Sequence, residues 1–262
     1  MKGRQITQKK ASELSFNEKE EITNLIKRYY PNSTQDYFDN RVSVKCEDDI
    51  VLLKNAKNIL GVSYYKVDKL VTPFTSKVIP VIKFGQALKK EDYPKSVIWK
   101  LGNWYAQRNI SYFYPAKEVV GVSTISSPKV FEHFTKLFPN HFPNSKYTSD
   151  NLKITNFLNE YFNQNQSLDV SIGTDFCIDY PGVLEKEITS DWEKKYKAKD
   201  DSINELFISF GIIKFSDGKI YQTRKTLVAC GYRTPLTFVR RKKHVPIKRS
   251  IAGLLTNIKE NT

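Results

Sequence analysis

The sequence predicts a mixed α/β domain, a central mixed sheet flanked by helices with a C-terminal elaboration, and three observations carry that expectation. Between Lys77 and Pro139, strand, helix, strand and helix patterns follow in order, as two parallel strands joined by a crossover helix require. Upstream lie an amphipathic helix and a meander of short strand-like runs. The 262 residues are 40% hydrophobic and 13% aromatic, enough for a sizeable core and too apolar for a disordered chain.

Taken in order, residues 1–15 read as a mobile basic leader. Phe16–Tyr30 is expected to be a helix capped by Asn17, with Glu18, Glu20 and Glu21 at the positive end of its dipole and Lys27 and Arg28 at the other. Ile22, Leu25, Ile26 and Tyr29 give it one buried face. Pro31-Asn32-Ser33 ends it, and a short helix covers Gln35–Asn40. Ile50–Leu53 and Ile59–Val67 read as strands around a hairpin turn at 54–58. Lys77–Leu88 is a β-branched run without an acidic residue. After a charged turn, Pro94 opens a helix with Val97, Ile98, Leu101, Trp104 and Tyr105 on one face. Glu118–Ile125 is the second strand, and Ser126-Ser127-Pro128 leads into a helix with Val130, Phe131, Phe134, Leu137 and Phe138 at core spacing.

The downstream third is less regular. A polar break at 140–150 precedes a helix over Asn151–Asn163, and Leu168–Asp179 alternates like a strand. In that strand Asp175 and Cys177 would share a face, and Asp169, Asp175 and Asp179 would offer carboxylates to solvent or to a cationic acceptor. Leu184–Asp201 is charged and partly helical. Leu206–Phe215 and Lys219–Ala229 read as closing strands around a Ser216-Asp217-Gly218 turn. With no repeat and no linker, residues 16–235 are expected to form one domain, followed by a basic tail over 236–262.

Composition narrows the function classes. The net charge is +14, spread along the chain except for the cluster Arg240–Arg249, which suits either a solvated tail or a polyanionic partner such as nucleic acid or an acidic protein. Three widely spaced cysteines and no Cys-x-x-Cys pair argue for reduced thiols in a cytoplasmic setting. The basic N-terminus lacks the apolar centre of a signal peptide, and no run is long enough to span a membrane. His133, His141 and His244 stand far apart, so no metal site is expected, and neither a P-loop nor a Gly-x-Ser-x-Gly elbow occurs.

The order of elements, with the segments Val81–Leu101 and Val119–Pro139, resembles the GNAT superfamily of acyl-CoA N-acyltransferases over about residues 16–180. The resemblance implies that the fourth strand and the following helix bind coenzyme A. It places Gln86, Ala87 and Leu88 on the pantetheine and Lys95, Ser96 and Val97 at the pyrophosphate, where a helix start offers amide N–H groups. The family's Gln/Arg-x-x-Gly-x-Gly/Ala loop is replaced here by Tyr93-Pro94-Lys95-Ser96-Val97-Ile98, with Ser96 and Ile98 at the glycine positions. Family members also use a carboxylate near the fourth strand as base and a tyrosine on the helix after the fifth as acid. Here the strand has no Asp or Glu and Phe134 takes the tyrosine position, which leaves the neighbouring His133 as the candidate catalytic group.

The function this implies is transfer of an acyl group, in the first instance acetyl, from acetyl-CoA or another acyl-CoA to an amine on a small molecule or protein. A main-chain N–H near Leu88 would polarise the thioester carbonyl. The alternative is a non-catalytic GNAT-like binding module whose basic tail at Arg240–Arg249 contacts nucleic acid or an acidic protein.

Overall fold

The computed structural model describes residues 4–43, 46–55, 58–90, 93, 96–111, 117–144, 150–165, 171–179 and 184–235. The cluster Arg240–Arg249, Lys95 and Asp169 lie outside the described residues, as does the whole of the predicted tail over 236–262.

Eleven strands and six α-helices follow one another in the described chain. The first strand, β1 (Gln5–Lys9), corrects the expectation of a mobile leader: it pairs antiparallel with β2 (Asp49–Lys54), Gln5 opposite Lys54 and Lys9 opposite Ile50. Ala11 and Leu14 behind it are buried, and this small apolar contact, outweighed in sequence by lysines, ties the segment down. Helix α1 (Phe16–Tyr29) starts at Phe16 as expected, but its cap is Ser15 rather than Asn17. Ser15 Oγ accepts from Glu18 N and the Glu18 carboxylate accepts from Ser15 N, a reciprocal capping box. Helix α2 (Gln35–Val42), expected over Gln35–Asn40, is capped by Thr34, whose hydroxyl accepts from Tyr37 N.

Strands β2, β3 (Ile59–Thr72) and β4 (Thr75–Lys89) form an antiparallel meander, with β3 and β4 longer than their apolar patterns suggest. Helix α3 (Ser96–Asn109) then crosses over to β5 (Val119–Ile125), which runs parallel to β4 as the sequence predicts. Alternation along β2 divides the core in two. Ile50 and Leu52 face α1 and α2, while Val51 faces the cluster holding Leu101 and Tyr105 of α3. Tyr105 stacks on Tyr65 at 4.8 Å between ring centroids and donates to Asp49 Oδ2 at 2.5 Å.

Helix α4 (Pro128–Leu137) leads to β6 (Asn140–Phe142), a short strand inside the segment expected to be an irregular break, and then to α5 (Asn151–Asn165). Of the strand expected over Leu168–Asp179, the described residues 171–179 form only β7 (Cys177–Asp179). Phe176 sits at φ 56°, so the alternation is broken there: Asp175 is exposed while Cys177 is buried. Lys186–Glu187 forms β8, followed by a 3-10 turn at Thr189–Asp191 and a wide π-type turn at Trp192–Tyr196.

The closing strands also need correcting. Asp201–Ser209 is helix α6, because Asp200 caps it and Ile203, Leu206, Phe207 and Phe210 pack at helical spacing; only β9 (Ile213–Ser216) is extended. The expected turn is present, with Asp217 and Gly218 both at positive φ, and leads into β10 (Lys219–Gln222). The run then divides, and β11 (Lys225–Arg233) enters the main sheet between β5 and β6. That sheet is ordered β1-β2-β3-β4-β5-β11-β6 with β7 also on β11, and β8-β10-β9 make a small second sheet.

One packing detail fixes α4. Gly121 of β5 and Gly231 of β11 lie opposite each other in register, and Phe138 rests on both. A Cβ on Gly121 would stand 2.3 Å from Phe138 Cζ, and one on Gly231 2.4 Å from Phe138 Cβ.

Candidate functional site

The parallel pairing of β4 with β5 stops early. It runs from Val81 opposite Val120 to Phe84 opposite Ser123 and goes no further. The cause is a bulge in β4: Tyr65 pairs with Phe84 and Ser63 with Ala87, so Gly85 and Gln86 together oppose the single residue Tyr64. Two residues against one bend the strand and turn it away from its neighbour. Residue 85 must be small here, since a Cβ would lie 2.9 Å from Tyr64 Cβ and 3.0 Å from Tyr64 O. Beyond the bulge β4 stays paired with β3, while its other edge opens into a cleft of about 640 Å3.

The cleft has three walls. One is β4 from Lys83 to Leu88 with Ser123–Ser127 of β5 and its turn, and the first turns of α3 (Ile98) and α4 (Lys129, Val130, His133). A second comes from Arg28, Tyr29 and Tyr30 at the end of α1 and from Tyr37 and Arg41 of α2. The third is the C-terminal elaboration, with Lys186, Asp191, Lys195 and Tyr196. Tyr29 Oη donates to Lys89 O at 2.8 Å and Lys186 Nζ to Tyr29 O at 2.9 Å, which joins all three.

Seven lysine and arginine side chains line the cleft against two carboxylates, Asp48 and Asp191. Both carboxylates are engaged by lysines. Asp48 Oδ1 lies 2.5 Å from Lys83 Nζ with both side chains nearly inaccessible, a charge contact rather than an aligned hydrogen bond. Asp191 Oδ1 lies 2.9 Å from Lys195 Nζ. Arg41 sits over the rings of Tyr37 and Tyr64, 5.2 and 5.8 Å from their centroids. Burial pulls the Lys186 ammonium below its usual range and pushes the Tyr196 phenol up to about 12, so Tyr196 keeps its proton at neutral pH. Gln86 Nε2 donates to Tyr37 Oη at 3.0 Å, while its buried Oε1 has no partner among the described residues.

Of the residues the sequence singled out, Gln86, Ala87, Leu88 and His133 line this one cleft. Ser96 and Val97 begin α3, and Ile98 beside them faces the cleft. His133 is exposed at the rim, whereas Phe134 is buried against Phe131 and Phe138. Asp48 escaped the sequence reading, which looked for a carboxylate on β4 itself. Asp49 pairs with Tyr65 and Tyr65 with Phe84, so one step along the register Asp48 falls in line with Lys66 and Lys83 across three strands. The Asp48-Asp49 pair at the head of an apolar strand was the available signal.

An antiparallel meander, a crossover helix, a parallel strand that splays from β4 after a bulge, and a helix returning to an antiparallel β11 now define the topology. This is the central mixed sheet flanked by helices that the sequence predicts. No family model matches the sequence, and no curated protein sequence matches it.

Among solved structures the chain is similar to the aminoglycoside N-acetyltransferase AAC(6')-Iy in complex with CoA (14% identity, TM-score 0.30, covering 41% of this chain and 72% of that one). It is also similar to a histone acetyltransferase HPA2 and related acetyltransferase from Corynebacterium glutamicum (12%, 0.36, 55% and 90%). A third is a GNAT family acetyltransferase from Elizabethkingia anophelis with acetyl-CoA bound (9%, 0.37, 89% and 100%). Among the described residues no helix is long and apolar enough to cross a membrane, and no group of three potential metal ligands occurs.

Proposed function

We propose that the protein is an acyl-CoA-dependent N-acyltransferase acting on an amine acceptor. The observation that carries this reading is the open edge of β4 beyond Phe84, facing a basic cleft at a sheet splay. An extended pantetheine can add to such an edge through main-chain hydrogen bonds, as any extended chain adds to an unpaired strand. The donor set fits a polyanionic cosubstrate: Lys90 and Lys129 line the β4–α4 side, and α3 starts beside it. In this reading Gln86, Ala87 and Leu88 hold the pantetheine, Ser96 and Val97 with Lys95 take the phosphates, and His133 takes a proton from the amine.

Acyl-CoA supplies the thioester whose acyl carbon bonds to the amine nitrogen as the carbon–sulfur bond breaks. The protein's contribution is chiefly to hold the two partners together, which for acyl transfer between a thioester and an amine is a large part of the barrier. Phe134 has no proton to give, and burial removes it from the cleft in any case. That observation favours a second reading, a GNAT-like module that binds CoA without turning it over.

A thermal-shift titration with acetyl-CoA and desulfo-CoA tests the first step. A native-state ligand at about 100 times its Kd adds about 2.7 kcal/mol of stability, so a saturable rise in Tm is expected. A folded protein that shows no rise refutes both readings. Binding without release of thiol over a broad amine panel selects the second.

A further inference from the structure

The sulfur that leaves an acyl-CoA needs a group to stabilise its charge, and this argument rests on the acyltransferase reading above. As the carbon–sulfur bond breaks, electron density collects on sulfur beside the open edge of β4. Several hydroxyl groups that line the cleft are already committed. Ser123 Oγ donates to Phe84 O at 3.0 Å, Ser127 Oγ to Tyr196 O at 3.3 Å and Tyr29 Oη to Lys89 O at 2.8 Å.

Tyr196 is placed differently. It belongs to the π-type turn of the C-terminal wall and lines the cleft. Its ring is partly buried against the main core, while its hydroxyl is neither sealed from solvent nor bonded to another described residue. Three bonds fix the turn: Ser127 Oγ holds the Tyr196 carbonyl at the start of α4, Lys129 Nζ donates to Lys194 O at 2.9 Å, and Lys197 N donates to Trp192 O at 2.8 Å. The phenol lies within electrostatic reach of Asp191, which is paired with Lys195, and of Tyr29, whose own hydroxyl is bonded to the end of β4. These contacts set it across the splay from the open strand edge.

We propose that Tyr196 is a catalytic residue of the acyl transfer, donating a hydrogen bond to the sulfur as it leaves. It serves as a donor and not as the source of a proton. Burial, with Asp191 and Tyr29 nearby, raises the phenol to about 12, whereas a thiol titrates at about 8.5, so the proton stays on oxygen. In the balanced step the neutral amine's nitrogen bonds to the acyl carbon, its proton passes to His133, and sulfur departs as thiolate. Solvent then carries that proton from His133 to the thiolate, so amine and thioester give amide and thiol. A donor fixed in place before the reaction is worth more than one in water, because nothing has to reorganise as the charge appears. The C-terminal unit thereby supplies part of the reaction site as well as a wall.

The test is Tyr196→Phe in the full chain, which keeps the ring packing and removes only the O–H. Turnover is followed by release of the coenzyme from acetyl-CoA and from its selenium analogue over one amine panel. The selenol is the stronger acid and leaves with less help. With acetyl-CoA, kcat is expected to fall about 10²–10³-fold, as when one fixed donor is removed, and with the selenium analogue the loss should be much smaller. The Tm rise with desulfo-CoA, which has no sulfur to accept the bond, should match that of the native protein.

An unchanged kcat with acetyl-CoA overturns the proposal. An equal loss on both esters, or a lost desulfo-CoA shift in the variant, makes Tyr196 a structural residue and overturns it too. In each case the native protein still turns over and the acyltransferase reading stands. Native protein that binds acetyl-CoA but acylates no amine brings down both together.

Discussion

Glu18 joins the N-terminal strand, the second strand and the helix that forms one cleft wall, and its removal gives the sharpest stability prediction. Its carboxylate meets Lys9 Nζ at 2.8 Å, Lys54 Nζ at 2.7 Å and Ser15 N at 2.9 Å. Burial by itself would raise its pKa, but the hydrogen bonds from Lys54, Lys9 and Ser15 outweigh it and bring the group down to about 2. The drop from 4.5 to about 2, at about 1.4 kcal/mol per pH unit, corresponds to about 3 kcal/mol of stability. Both lysines are about one-third exposed, so solvent screening brings the expectation to about 2 kcal/mol. Because the folded-state pKa is depressed, this contribution is complete above about pH 4.5 and is lost as pH falls through about 2. Glu18→Gln keeps an oxygen for the capping box and removes only the charge. Urea unfolding of both proteins between pH 2 and 7 should show a gap of about 2 kcal/mol at pH 7 that closes toward pH 2. Parallel stability curves would refute the reasoning, since a purely steric effect has no reason to titrate.

Three other outcomes follow from the site and its support. Lys83→Met leaves the Asp48 charge buried and unpaired and should cost about 3–5 kcal/mol, whereas Lys83→Met with Asp48→Asn should recover much of it; a double-mutant cycle in urea measures the coupling. Gly121→Ala drives a Cβ into the Phe138 ring and should cost about 1–3 kcal/mol, and in a Phe138→Leu background the same change should cost less; additive losses would mean that the ring is not the obstacle. His133→Ala, at the exposed rim, should leave Tm and acetyl-CoA binding unchanged while lowering kcat about 10²-fold or more; an unchanged kcat removes His133 from the chemistry.

The half of the fold that carries the cleft was legible because its signals are local. An apolar period of 3.6 over α1 and α4 and a β-branched run in β4 need no distant partner to be recognised. The bulge at Gly85 was not legible, since only its register against Tyr64 shows that two residues oppose one. Asp48 was missed for a related reason: it reaches Lys83 across an intervening strand, a relation fixed by sheet order and not by spacing. At the N-terminus the lysines masked a strand, because an edge strand pairs through its backbone and leaves its side chains free to be polar. The region after Asn165 misled most. Leu206–Ser209 is as apolar as a strand, but its cap at Asp200 and the burial of Phe207 make it the end of a helix.

That C-terminal region matters because it is built into both the sheet and the cleft. Its strand β11 lies between β5 and β6, so the sheet is incomplete without residues 225–233. Its π-type turn is fastened to the opposite wall by Ser127 Oγ, which donates to Tyr196 O at 3.3 Å, and by Lys129 Nζ, which donates to Lys194 O at 2.9 Å. Ser127 stands at the N-cap of α4 yet makes no side-chain cap, and that hydroxyl serves the wall instead. On the other side Lys186 holds α1 through the Tyr29 carbonyl, and Tyr29 in turn holds β4 through its hydroxyl. A residue at the end of α1 thus transmits the position of the C-terminal unit to the open edge of β4. Each of these bonds is worth only about 1 kcal/mol, so the wall is set by their combination and by β11 rather than by any one of them. The width of the cleft is accordingly a property of the whole chain from α1 to β11, although the splay that creates it comes from a single extra residue in β4.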